Sequence, residues 1–132
     1  MFATTENITI FHGAHPNQEN KQKLQDQGVS FVEISEDVKQ LSLNEVLTYL
    51  GRAGIHELWV EAGARCFSSF ITKRLANRLM LYRSPKLLGN QALSISSDLL
   101  HEYTQEMLLI SRQQLGDDEV SMYELRGKRI EE

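Results

Sequence analysis

The sequence has 132 residues and a mass of 15.1 kDa, with 41% hydrophobic and 24% charged residues, the composition of a single folded domain rather than a disordered chain. No apolar run reaches the roughly 18 residues needed to span a bilayer, and Met1–Phe11 lacks the basic start and apolar centre of a secretory signal, so a cytoplasmic protein without a membrane partner is expected. A net charge of −4 speaks against nucleic acid as partner, and the lone Cys66 excludes an intrachain disulfide or a multi-cysteine zinc site.

Thr5–Phe11 alternates β-branched and apolar residues and predicts a first strand. Gly13 and Pro16 break the pattern, and Asn17–Gln27 predicts a short polar helix whose one apolar anchor is Leu24, stopped at Gly28. Val29–Ile34 is a second strand, which makes a βαβ unit with parallel neighbours. His12 and His15 are close enough to suggest a metal, but no third ligand is in view, so they read as a polar loop and no metal is expected.

Ser42 and Glu45 have the spacing of a capping box. Leu43, Val46, Leu47 and Leu50 recur at helical intervals, predicting an amphipathic helix over Leu43–Arg52 with Gly51 and Gly54 at its end. Leu58-Trp59-Val60 predicts a short strand buried on both faces. A helix over Ala64–Lys73 follows, with Phe67, Phe70 and Ile71 on one side, and then a strand over Arg78–Tyr82 that Pro85 ends. Asn90–Asp98 is loop. Glu102–Arg112 and Val120–Arg126 predict a hairpin about the Leu115-Gly116-Asp117-Asp118 turn, before a charged tail.

The turn at Gly63 carries the functional signal. Small residues between a strand and a helix let an anionic ligand approach the backbone and meet unpaired helix amides. No Asp or Glu occurs from Ala62 to Ser97, whereas Arg65, Lys73, Arg74, Arg78, Arg83 and Lys86 do. Such a segment either focuses potential on an anion or forms a solvated helix face, and charge alone does not separate the two. It lacks interleaved aromatics beyond Tyr82 and any nucleic-acid motif.

Val60-Glu61-Ala62-Gly63, then Leu81-Tyr82, Pro85-Lys86-Leu87-Leu88-Gly89 and the closing Leu115-Gly116-Asp117-Asp118 turn resemble the C-terminal reductase domain of the bifunctional riboflavin-biosynthesis deaminase/reductase. The resemblance runs from about Ile8 to Tyr123 and includes no deaminase domain. It implies a dihydrofolate-reductase-like three-layer α/β/α fold, with a mostly parallel central sheet and a C-terminal antiparallel hairpin, over residues 1–132 as one partial domain. It implies NADPH as cofactor, and as substrate a phosphoribosylamino-pyrimidine whose ribose is reduced to a ribityl chain. By the same resemblance Glu61 binds substrate, while Gly63, Ala64, Arg65, Cys66, Phe67, Ser68 and Ser69 hold the cofactor. A strand-end carboxylate in water is the plain alternative for Glu61, and a small buried apolar side chain is the alternative for Cys66. No catalytic acid is identified.

The departures are specific. The family's opening strands, with a Ser-Leu-Asp-Gly-like motif and a basic phosphate-binding segment, have no counterpart here. Ile10-Phe11-His12 stands where the family often has Thr residues, and Leu75-Ala76-Asn77-Arg78 stands where it tends to have Leu-Val-Asp-Glu. A sheet without those strands exposes an edge, so a homodimer or larger homo-oligomer is expected. The same departures leave open a non-catalytic homologue that keeps the fold and serves as a partner subunit, or a separate chain that supplies the missing strands.

Overall fold

The computed structural model describes residues 7–37, 40–87, 89 and 107–125. The start of the first predicted strand, the loop over Asn90–Asp98, the start of the predicted hairpin and its end at Arg126 lie outside them. The chain divides into two compact units, Met1–Trp59 and Val60–Glu132.

In the first unit the predicted βαβ forms. Strand β1 (Thr9–His12) pairs in parallel with β2 (Ser30–Glu33), from Thr9 opposite Ser30 to His12 opposite Glu33. Between them runs α1 (Gln18–Gln25), capped by Asn17, whose side chain accepts from the Asn20 N–H at 2.9 Å. No α1 residue is fully buried, as its polar sequence dictates, while Val29 and Ile34 on either side of β2 are core. A two-residue pair that the sequence did not predict follows, β3 (Glu36–Asp37) antiparallel to β4 (Gln40–Leu41).

Helix α2 (Leu43–Arg52) has the predicted bounds. Ser42 Oγ accepts from the Glu45 N–H at 3.4 Å, one half of the expected capping box. The reciprocal half has no donor to use, because the Ser42 N–H already donates to the Ser35 carbonyl at 2.9 Å. Tyr49 of α2 meets Phe11 of β1 edge-to-face, with ring centroids 5.5 Å apart.

The predicted strand Leu58-Trp59-Val60 is corrected. Residues 55–63 join no ladder, and Leu58, Trp59 and Val60 are exposed, Trp59 by 65%. Three apolar residues become a strand only where a neighbouring backbone meets their N–H and C=O groups. Among the described residues no strand pairs with them.

The second unit starts with α3 (Ala64–Thr72), which Lys73 caps, and buries Phe70 and Ile71. Among the described residues three strands follow: β5 (Arg78–Arg83), β6 (Met107–Leu115) and β7 (Asp118–Leu125). The predicted hairpin is β6–β7, closed by Gly116-Asp117 with Leu115 opposite Asp118. Gly116 has φ +63° and Asp117 does not share the positive sign, the pattern of a two-residue turn with glycine first. Among the described residues β1–β2 is a parallel ladder, and β5, β7 and β6 form an antiparallel sheet in that order. β7 lies between β5 and β6, so its two ladders satisfy both of its backbone edges. Glu119 of β7 reaches Arg83 on β5 and Arg112 on β6, each at 3.5 Å. Ser121 beside it is buried, its hydroxyl 3.2 Å from the Glu119 carboxylate.

Candidate functional site

The candidate residues Glu61 and Gly63–Ser69 all lie in the second unit, in the approach to α3 and its first two turns. Gly63 occupies the N-cap with φ −68° and ψ 167°, and has no side chain to cap the helix. The first intrahelical bond runs from the Phe67 N–H to the Gly63 carbonyl at 3.0 Å. The amides of Ala64, Arg65 and Cys66 therefore have no helix carbonyl upstream to receive them. No acidic residue stands in this first turn, and Arg65 is exposed there. Positive backbone dipole and guanidinium charge coincide at one helix end, which favours an anion.

Gly63 itself is open on its outer side. A Cβ built on it meets nothing within 4 Å, and its φ is one that any residue adopts. Neither packing nor backbone conformation in the described residues requires glycine here.

The remaining candidates divide by face. Phe67 is half-buried at the spacing of Phe70 and Ile71, so it belongs to the apolar stripe. Cys66 is exposed, which removes the reading of it as a buried apolar filler. Ser69 Oγ donates to the Arg65 carbonyl at 3.0 Å, and Thr72 Oγ1 to the Ser68 carbonyl at 2.8 Å, so both hydroxyl protons are turned back on the helix. Glu61 is exposed two residues before the N-cap. The expectation that the site follows a strand ending at Val60 is corrected with that strand: the turn follows a segment outside any described ladder.

Among the described residues no group of three or more His, Cys, Asp and Glu is placed to hold a metal. His12 instead engages both ring nitrogens, Nδ1 with the Gly13 carbonyl at 2.6 Å and Nε2 with Lys21 Nζ at 3.2 Å. Sequence reasoning did not join His12 to Lys21, because nine residues and a loop separate them. The one available signal was a lysine on the first turn of a helix that returns beside its own strand. No helix among the described residues is long and apolar enough to cross a membrane.

The family model of the RibD C-terminal domain matches residues 1–120 of the chain. The riboflavin biosynthesis protein RibD of Chlamydia trachomatis is 35% identical over 121 residues, covering 91% of this chain and 30% of that protein. A 5-amino-6-(5-phosphoribosylamino)uracil reductase of Buchnera aphidicola is 32% identical over 54 residues, covering 41% of this chain and 26% of its own length. Among solved structures, RibD of Acinetobacter baumannii superposes with a TM-score of 0.69 at 25% identity, over 94% of this chain and 32% of that one. The chain thus spans about a quarter to a third of the curated relatives it matches. Its α/β fold is of the dihydrofolate-reductase-like kind those structures share.

Proposed function

The chain belongs to the RibD C-terminal domain family, and from that premise we propose that it serves riboflavin biosynthesis as an NADPH-dependent reductase. Its substrate on this reading is 5-amino-6-(5-phosphoribosylamino)uracil, named by the Buchnera relative, with the ribosyl group reduced to ribityl. Residues 1–132 act as one reductase-like domain, since the family match runs through both compact units. The cytoplasm is its place of action.

One observation carries the cofactor assignment: the amino end of α3 has no side-chain cap and no acid, and bears an exposed Arg65. These groups fit a pyrophosphate. The amides of Ala64, Arg65 and Cys66 would donate to its oxygens, and Gly63 leaves room for close approach. Ser68 and Ser69 continue the segment, while Phe67 anchors it from the apolar side. NADPH, when bound, supplies the hydride, and the protein's part is to bind and orient. Glu61 would orient the substrate by accepting from sugar hydroxyls or pyrimidine N–H groups.

A homodimer or larger homo-oligomer is part of the same reading. It is supported by β6, at the edge of the sheet among the described residues, where Leu108, Leu109 and Ile110 are each 44–49% exposed around a bulge. A monomeric mass by light scattering overturns that part alone.

The test of the main reading is titration with NADPH and, in parallel, NADH, followed by calorimetry. Saturable binding that prefers NADPH and weakens about tenfold in Arg65→Ala is the expected result, and turnover of the phosphoribosylamino-pyrimidine then completes it. Absence of binding at millimolar cofactor overturns it.

A further inference from the structure

His12, Lys21 and Phe31 form a side-chain cluster of the first unit that the proposed function leaves unused, where β1, α1 and β2 converge. We propose that His12 and Lys21 form a proton-sensitive latch that fastens α1 to the parallel strand pair. This inference does not rest on the reductase reading.

The hydrogen-bond roles are fixed by chemistry. A carbonyl oxygen only accepts, so His12 Nδ1, 2.6 Å from the Gly13 carbonyl, must carry a proton. An ammonium only donates, so His12 Nε2, 3.2 Å from Lys21 Nζ, must be the bare nitrogen. The two contacts together require the neutral Nδ1–H tautomer. Lys21 also lies 5.5 Å over the Phe31 ring, and the His12 ring is 6.0 Å from it.

The latch matters because, among the described residues, α1 has little apolar packing to hold it. None of its residues is buried, and Leu24 is its one partly buried large apolar side chain. A proton on Nε2 removes the acceptor and sets two cations against each other, so Lys21 must leave. Charged groups of both signs surround His12: Glu33 is its register partner on β2, the Glu36 carboxylate of β3 lies against neighbouring Gly13, Lys21 comes from α1, and His15 in the loop is exposed. The opening itself follows from the loss of the acceptor.

The test is NMR on the full chain, with ring nitrogen shifts reporting the tautomer and amide exchange followed from pH ~8 to ~5, the interval in which imidazoles change charge. Expected are the Nδ1–H tautomer at the upper end and an α1 protection, corrected for intrinsic exchange, that falls about tenfold as His12 protonates. Protection in α2 stays constant, and in Lys21→Met, which keeps an apolar stem on Phe31, α1 exchange no longer depends on His12. An Nε2–H tautomer, an unchanged α1, an equal fall in α2, or the same fall in Lys21→Met overturns the proposal.

Discussion

The carboxylate of Glu45 closes on Ser35, accepting from its backbone N–H at 3.0 Å and from its hydroxyl at 2.6 Å. A residue spaced for local helix capping has thus become a bridge from α2 to the end of the chain segment that leaves β2. The two donated hydrogen bonds, the hydroxyl's first, hold the Glu45 carboxyl below its ordinary value of 4.5.

Lowering in the folded state stabilises the fold above the unfolded value, and that contribution is lost as the pH falls below 4.5 through the folded value. Glu45→Gln is expected to lower Tm at pH 7 by about 2–4 °C. The difference from the parent protein should shrink steadily as the pH is taken below 4.5, which thermal melts at stepped pH will show. A difference that persists unchanged in acid contradicts the bridge.

Arg74 stands where α1 and α2 stop on glycine. Gly28 and Gly54 have φ +86° and +83°, and Arg74 has φ +55° in the same hydrogen-bond pattern, with Arg74 N–H on the Ile71 carbonyl and Leu75 N–H on the Phe70 carbonyl. A left-handed non-glycine residue costs roughly 1–2 kcal/mol, of which glycine's extra unfolded freedom returns about half. Arg74→Gly is therefore expected to be more stable than Arg74→Ala by about 0.5–1 kcal/mol, both lacking the side chain. Denaturant titration of the pair checks it.

Gly63 separates binding from stability. Aspartate is a preferred N-cap, and at Gly63 the backbone angle and the open space both admit it. Gly63→Asp should leave Tm unchanged or slightly raised, while its charge weakens NADPH binding by about tenfold or more. Retained NADPH affinity in this variant would place the cofactor elsewhere.

Phe70 and Ile71 are the buried residues of α3. Phe70→Ala is expected to cost about 3 kcal/mol or more in urea unfolding, whereas Thr72→Ser, on an exposed position of the same helix, should change little. Equal effects of the two would mean that the stripe is not core.

Much of this protein was legible in its sequence. Helix α2 has its predicted limits because a 3.6-residue apolar repeat, the Ser42 cap and Gly54 act within a few residues of one another. The β1–α1–β2 order and the Gly116 hairpin followed from breakers and alternation, which are equally local. The small-residue turn at Gly63 could be read as well, because missing caps and acids are properties of neighbours in the chain. Tertiary structure decided the rest. Whether Leu58–Val60 forms a strand depends on a partner backbone, and β5 found its ladder on β7, some forty residues on. Glu45 chose Ser35 over Ser42 because the Ser42 N–H was already taken, and the His12 Nε2 found its partner in a lysine on the next helix. Backbone propensity and periodicity act over one or two turns, but hydrogen-bond partners are assigned by competition among groups that only the folded chain brings together.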